Sequence, residues 1–475
     1  MFKRRNQTLR TLYVGSDFIM TSLAFFVFNI VRFYILIYNN GERELFAYLL
    51  APKMIAEQIV VPIVLMITYI LSGYYNRPFP KSRISDFLIT AGSQIINTFL
   101  LFMTMLINDP TPRRRTEYYL VFLLFVLLLL LTFSGRILIT SLAIKKAKKS
   151  SLINKTVIIG TTSRGRKAAN NILTSKSLYK NEISAFVEIE GEPRCSRKYK
   201  NIPIIKQKDL KNFISNEKVS QIVIAPENTN DKTVLKLLDE FFDTEIPIKI
   251  APDDLDYAIA GIRTNDLLGQ ALIDLSTPRI SDCARNLKRT FDIVLSIIAL
   301  IILSRFLLIV ALWIKCDSDG PVFYKQERVG RHHIPFKIIK FRTMKVDAEK
   351  DGPQLSSDND NRITKCGHFL RKYRIDELPQ LWNVLRGDMS IVGPRPEREY
   401  YIQQIVKRVP YYSLVYQVRP GITSWAMVKF GYASSLKQMV ERTKYDMVYI
   451  NNMSLLLDLK ILIYTIRTIL IGAGK

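Results

Sequence analysis

Histidine and cysteine are scarce in this chain of 475 residues, at three and four copies, and that scarcity removes whole classes of chemistry. Cys195, Cys283, Cys316 and Cys366 are widely spaced with no C-x-x-C pair, so neither a disulfide framework nor a zinc site is indicated. His332 and His333 sit together in a basic loop and read as surface residues rather than as an acid–base pair. Negative charge is also short: 42 acidic residues against 68 lysines and arginines leave a net charge of +26. Such an excess implies an anionic partner. Nucleic acid is one option, but long apolar runs make an anionic lipid bilayer and nucleotide-diphosphate substrates the better fit, and no nucleic acid is expected.

What the chain has in quantity is apolar sequence: 48% hydrophobic residues beside 23% charged ones, a mixture that requires the apolar residues to be concentrated. The length allows about three domains. Residues 1–150 hold four apolar runs, at 11–38, 54–75, 84–107 and 117–144, each close to or above the roughly 20 residues that cross a bilayer. The first is too long for a signal peptide and lacks a small-residue cleavage site, so it reads as a span. Basic residues cluster before the first run, between the second and third (Arg77, Lys81, Arg83) and after the fourth (Lys145, Lys146, Lys148, Lys149). The positive-inside rule then gives a four-helix transmembrane bundle with both ends cytoplasmic. Arg113-Arg114-Arg115 argues against that orientation and is outweighed by three clusters. Arg32 and Arg136, near span ends, are expected to snorkel.

Residues 151–280 change character. Thr156–Gly160, Ile183–Ile189, Ile222–Ala225 and Ile246–Ile250 are short apolar runs separated by polar helical stretches, the pattern of parallel strands in a Rossmann-like α/β domain. Gly160-Thr161-Thr162-Ser163-Arg164-Gly165 echoes a dinucleotide fingerprint, but Thr162 stands where a glycine lets the backbone approach a pyrophosphate. A structural or regulatory module is favoured over nucleotide binding.

Residues 281–475 carry the chemistry. Arg371–Arg398 places adjacent carboxylates, Asp376 and Glu377, ahead of an apolar stripe, a Gly387-Asp388 turn and the loop Gly393-Pro394-Arg395-Pro396. Asp376 reads as a helix start, with Pro379 in the first turn where its missing N–H costs nothing. Arg371, Lys372, Arg374, Arg386, Arg395 and Arg398 ring the pair, so the ionised forms are expected to be favoured and available to a metal or as a nucleophile. An N-cap Asp followed by Glu in a solvated Arg-rich turn is the plainer alternative. Two prolines flanking Arg395 stiffen its backbone, and a fixed guanidinium fork suits a diphosphate. Upstream, Gly320–Met344 reads as strand, basic turn and strand, with Ile338, Lys340 and Arg342 on one face. Residues 347–362 are expected to form a mobile loop. Met453–Ile471, with Asp458, Lys460 and Arg467, reads as an interfacial helix rather than a span.

Lys340–Met344 (K-F-R-T-M), the run D-E-L-P-Q-L-W-N-V-L-R-G-D-M-S-I-V-G-P-R-P beginning at Asp376, and Val418–Ala426 (V-R-P-G-I-T-S-W-A) together resemble the signature of the bacterial sugar transferases, the monotopic phosphoglycosyl transferases. The likeness is close from about Lys288 onward and architectural before it. It implies an α/β monotopic catalytic domain, on the cytoplasmic face of a bacterial inner membrane. The implied reaction transfers a sugar-1-phosphate from a UDP-sugar to polyprenyl (undecaprenyl) phosphate. UMP is released, and the first step of exopolysaccharide, capsule, O-antigen or glycoprotein glycan assembly is made. In that pattern Asp376 is the nucleophile, Glu377 holds Mg²⁺, and Arg371, Pro394 and Arg395 bind phosphate. Lys340, Arg342, Arg419 and Asp446 match further positions lining the site. The resemblance also implies a re-entrant helix at 287–315; a straight crossing would place Arg305 near the bilayer centre at a cost of roughly 3 kcal/mol or more. Relatives commonly bend at Ser-Pro, and here Arg305 takes the proline's place. A second copy of the chain is a candidate partner. Two other readings remain open: a membrane-anchored nucleotide-sugar dehydratase, whose Tyr-x-x-x-Lys pair and intact glycine fingerprint this chain lacks, and a non-catalytic scaffold of a glycan-assembly complex.

Overall fold

A computed structural model describes residues 2–37, 44–76, 78, 83–105, 114–149, 153–174, 180–190, 192, 202–227, 231–242, 244, 246–251, 272–274, 280–346, 348, 360–431, 433 and 435–471. Cys195, Arg113 and, of the expected loop at 347–362, residues 347 and 349–359 lie outside these residues. Backbone contacts divide the chain into two compact units. One comprises Met1–Leu152 with Leu178–Lys180 and Ser281–Leu287; the other holds the rest.

The first unit is helical: α1 (Phe2–Arg32), a short α2 (Leu45–Leu50), α3 (Pro52–Leu71), α4 (Arg83–Thr104) and α5 (Arg114–Lys149). The four long helices are each apolar and long enough to cross a membrane. Ala24, Phe25, Phe28, Val61, Leu65, Leu101, Leu120, Leu124 and Leu128 form a shared core. One expectation fails here. Arg136 does not snorkel: it is fully buried, with Nε and Nη2 donating to the Asp17 carboxylate at 2.9 and 2.7 Å and Nη1 to Thr90 Oγ1 at 2.7 Å. Its guanidinium lies 3.7 Å from the Tyr74 ring centroid. Asp17 and Thr90 take up the donors of the guanidinium inside the unit, and a buried charge stays buried when so fully paired.

The second unit opens with a six-stranded sheet of order β3-β2-β1-β4-β5-β6. Its strands are β1 (Ile153–Ile159), β2 (Lys180–Glu188), β3 (Ile204–Lys206), β4 (Gln221–Ile224), β5 (Ile248–Ile250) and the antiparallel β6 (Ile273–Asp274). Helices α6 (Ser163–Thr174), α7 (Leu210–Glu217) and α8 (Asp231–Phe242) cover it. The four expected strands are parallel as read; β3, mostly exposed, and the two-residue β6 do not stand out in an apolar pattern. Gly160 has a φ of +126°, and a Cβ there would fall 2.1 Å from Ala225 O, while one at Gly165 would fall 2.2 Å from Gly160 O. Strand and helix approach so closely that both glycines are required by packing alone, whatever the loop binds.

Next comes α9 (Asp282–Asp317), a fifth helix long and apolar enough to cross a membrane and, of the five, the one with least of its surface buried. It is helical straight through Ser304 and Arg305, and Arg305 is exposed. The remaining elements build the region that carries the signature. An antiparallel hairpin, β7 (Phe323–Val329) and β8 (Pro335–Phe341), forms as the alternating pattern indicates. It is followed by α10 (Lys365–Lys372), a 3₁₀ turn at Ile375–Gln380 and α11 (Leu381–Arg386). A two-stranded parallel ladder, β9 (Ser390–Val392) with β10 (Gly421–Thr423), comes next, and α12 (Glu399–Val406), α13 (Trp425–Lys429), α14 (Leu436–Asn451) and α15 (Leu455–Ile471) complete it. Val384, Met389, Ile391, Ile402, Ile405, Tyr449 and Ile461 form the core beneath this layer.

Candidate active site

The 3₁₀ turn at Ile375–Gln380 starts from Arg374 in the left-handed region (φ +55°), a strained conformation for a bulky side chain. It sets Asp376 and Glu377 side by side, 9% and 4% exposed. The expected α-helical start is thus a tighter turn, with Pro379 inside it and the Leu381 N–H donating back to Leu378 O as α11 begins. Strand β8 brings Lys340 to the dyad, with Nζ donating to Glu377 Oε1 at 2.9 Å. Arg395 Nη1 stands 3.5 Å from the same oxygen, and Arg374 Nη1 3.7 Å from Glu377 Oε2. Gly393 and Gly421 let β9 and β10 approach at this point: a Cβ on Gly421 would fall 2.1 Å from Gly393 N. Gly421 N donates to Pro394 O at 2.8 Å, which anchors the Pro-Arg-Pro loop.

The carboxylates open on a cavity of about 370 Å³ lined by Lys340, Arg342, Arg371, Arg395, Arg398 and Arg442 among others, a volume within the range of small-molecule sites. Among the described residues cations predominate: eight lysines and arginines line it, against Asp376, Glu377 and Glu397. The two neighbouring acids respond oppositely to this setting. Burial works against the charge of Glu377, but Lys340, Arg395 and Arg374 outweigh it and hold that carboxyl well below the ordinary range. Burial, together with the Glu377 charge, pushes Asp376 up to about 6, against the pull of Lys340, Arg371 and Arg395. The expectation that both ionised forms are favoured therefore holds for Glu377 alone, because Glu377 takes the direct ion pairs. Lys340 is lowered by its own burial, in opposition to Glu377.

Of the residues singled out from sequence, Asp376, Glu377, Lys340, Arg342, Arg371 and Arg395 come together on this cavity. Arg371 reaches it with Nε held by Thr343 Oγ1 at 2.9 Å. Arg342 is committed elsewhere by its donors, which go to Ser318 O and Asp319 O at 2.6 and 2.9 Å. Pro394, Arg419 and Asp446 are not among the lining residues. Arg419 donates to Gly387 O at 2.9 Å, and Asp446 is buried behind Arg442, its carboxyl raised to about 7 by burial and by Glu397 against Arg442 and Arg395. Lys372 and Arg386 are outside the ring: Lys372 lies over Tyr373 and Arg386 beside Asp388.

Sequence reading missed Arg328, Glu397 and Arg442. Arg328 Nη1 donates to Pro396 O at 3.2 Å, and burial lowers it to about 10. Glu397 accepts from Arg442. The signal available was position: Glu397 follows Arg395 by two residues. Asn383 was also missed. Its Oδ1 accepts from Ile339 N at 3.0 Å and its Nδ2 donates to Lys337 O at 2.9 Å, so it ties the strand carrying Lys340 to α11. Among the described residues no cluster of three His, Cys, Asp or Glu could hold a metal. The dyad suits Mg²⁺ only in the manner of one or two carboxylates with substrate oxygens completing the shell.

The stretch of chain that carries this geometry is also the one that matches known proteins. The family described as bacterial sugar transferase matches residues 283–472. A UDP-N-acetylgalactosamine-undecaprenyl-phosphate N-acetylgalactosaminephosphotransferase of Aeromonas hydrophila is 45% identical over 188 residues, 40% of this chain and 44% of that protein. A UDP-glucose:undecaprenyl-phosphate glucose-1-phosphate transferase of Escherichia coli K12 is 37% identical over 251 residues, 52% of this chain and 54% of its own length. The chain thus spans about half the length of these two. It covers 72% of a UDP-glucose:undecaprenyl-phosphate glucose-1-phosphate transferase of Caulobacter vibrioides, at 41% identity over 197 residues and 41% of this chain. With that coverage and identity, and with the signature residues gathered on one cavity, the chain belongs to the bacterial sugar transferase family.

Proposed function

We propose that the protein transfers a sugar-1-phosphate from a UDP-sugar to a polyprenyl phosphate. The observation that carries the reading is the buried dyad facing a cavity with surplus positive charge; three relatives bearing UDP-sugar and undecaprenyl-phosphate in their names support it. An Asp376 oxygen attacks the β-phosphorus of the donor. The bond from that phosphorus to the bridging oxygen breaks, UMP leaves with the electron pair, and the sugar phosphate stays esterified to the aspartate. A phosphate oxygen of the polyprenyl acceptor then attacks the same phosphorus. The aspartyl–phosphorus bond breaks and the Asp376 carboxylate is restored. With its carboxyl held above the ordinary range by burial and by the Glu377 charge, Asp376 is a better nucleophile than a fully stabilised carboxylate. Arg395 and Arg371 take the non-bridging phosphate oxygens, since phosphoryl transfer is promoted chiefly by neutralising charge. Glu377 is the residue that would hold Mg²⁺, which when bound supplies further neutralisation of the diphosphate.

The acceptor's phosphate lies at headgroup level, so the cavity belongs at a membrane surface. The exposed apolar side chains of α9 and α15, among them Ile301, Ile302, Leu308, Leu456 and Leu470, favour insertion of both into one leaflet. The re-entrant course of α9, the cytoplasmic placement of the site at a bacterial inner membrane, the four-span bundle and a homodimer belong to this proposal. The test is release of UMP from a panel of UDP-sugars by membranes containing the full chain. A burst stoichiometric with protein is expected without acceptor, and turnover with polyprenyl phosphate. No release from any donor would contradict the reading.

A further inference from the structure

The first turns of α9 from Lys288 onward are polar on the side that meets the signature stretch. Lys288, buried, donates from Nζ to Val392 O at 2.9 Å and to Asp458 Oδ2 at 2.7 Å. Tyr449 OH donates to the other oxygen of Asp458 at 2.7 Å. One turn along α9, Asp292 accepts from Ser390 Oγ at 2.7 Å and from Ile391 N at 3.2 Å. Arg289 donates to Val384 O and Leu385 O at 2.7 and 3.1 Å, closing the carbonyl end of α11. Three side chains of one helix therefore hold backbone on both sides of the Gly387 turn.

Val392 is the point of contact that matters most. It ends β9, and Gly393-Pro394-Arg395 follow directly. Pro394 leaves little rotational slack between the Val392 carbonyl and the Arg395 side chain. Lys288 and Asp458, one on each of two helices with exposed apolar faces, are both nearly dehydrated. A buried pair is costly to leave half-made, so the lysine ammonium has one defined position; it is the charged donor to the Val392 carbonyl, which also accepts from Ser390 Oγ at 2.9 Å and from Tyr449 OH at 3.3 Å.

We propose that Lys288, paired with Asp458, is a positioning residue for Arg395: it sets the height of the Pro-Arg-Pro loop over the dyad, so that seating of α9 and α15 determines phosphate binding. The inference rests on Arg395 contacting the donor diphosphate, as proposed above. Its chemistry is distinct from that of the site, because Lys288 bonds a backbone carbonyl and an aspartate and is not among the residues lining the cavity.

Steady-state UMP release by the full-length protein in native membranes tests it, with a UDP-sugar that the wild type turns over. Lys288→Met is expected to raise KM for the donor about tenfold with kcat within about threefold. Lys288→Arg, which keeps a charge and two donors, should stay within about threefold of wild type in both constants. In an Arg395→Lys background, Lys288→Met should add less than about twofold, because both changes act through one contact. If Lys288→Met does not accumulate, Asp458→Asn keeps the shape of the pair and is read by the same split. A wild-type KM in these variants, a loss confined to kcat, or full additivity with Arg395→Lys would overturn the inference while leaving the proposed reaction intact. A wild type that releases no UMP from any donor would overturn both.

Discussion

Two buried charge clusters, one in each unit, differ in how they are closed. Around Arg136, a single guanidinium meets a single carboxylate, a hydroxyl and an aromatic face, and all three of its nitrogens donate. The charges of this pair cancel and the pair is buried; Asp86, also buried, accepts from Thr140 Oγ1 at 3.3 Å. At the cavity, Glu377 alone draws Lys340, Arg374 and Arg395, while Arg371 and Arg398 also reach the wall. Positive charge is left over, and it faces open volume. A self-neutralised cluster inside a helical unit fixes how helices meet; a cluster with surplus cations on a cavity is built for an anion that arrives from elsewhere.

Mutations should separate the two kinds. The largest effect is expected at the dyad: Asp376→Asn removes the attacking carboxylate at nearly constant shape, and UMP release should fall at least about a thousandfold. Normal turnover in that variant would remove the nucleophile assignment. Arg136→Met should act on stability instead, leaving Asp17 buried without its partner at a cost on the order of 3–5 kcal/mol. It is read as loss of folded protein in the membrane fraction, with normal KM in whatever remains. Next is Arg395→Lys, which keeps the charge and loses the fork; KM for the donor should rise about tenfold. An unchanged KM would move Arg395 to the self-neutralised class. The smallest effect is a pH dependence. Burial raises Asp446 to about 7, above its unfolded value, so folding takes up a proton and stability falls as pH rises between the two. The apparent melting temperature of Asp446→Asn should therefore drop less between pH 5 and pH 8 than that of the wild type. Parallel curves would show that Asp446 is not held protonated.

Much of this site was readable in the chain because its chemistry is local. Asp376, Glu377 and Arg395 lie within one stretch of about 20 residues, and Lys340 falls where alternation on β8 requires it. Alternation also carries Arg342 to the same cavity, although β8 ends at Phe341 and the guanidinium is held by the carbonyls of Ser318 and Asp319. The sheet of the second unit was legible where strands are apolar and buried, even at the three-residue β5, and silent at the edges, where β3 is mostly exposed and β6 has two residues. What the sequence hid were pairs made at a distance. Arg136 and Asp17 are 119 residues apart, and Lys288 and Asp458 are 170 apart; each alone looks like a stray charge on an apolar helix. Asp458, read as a reason for α15 to lie at an interface, is buried and bonded instead. Only tertiary contact shows that these charges are internal.

The account turns on a covalent bond to Asp376, and intact mass measurement tests it directly. Protein incubated with a UDP-sugar and no polyprenyl acceptor should gain the mass of one sugar phosphate, mapped by fragmentation to Asp376 and discharged when acceptor is added. Full turnover with no adduct at any time would mean a single displacement, and would contradict it.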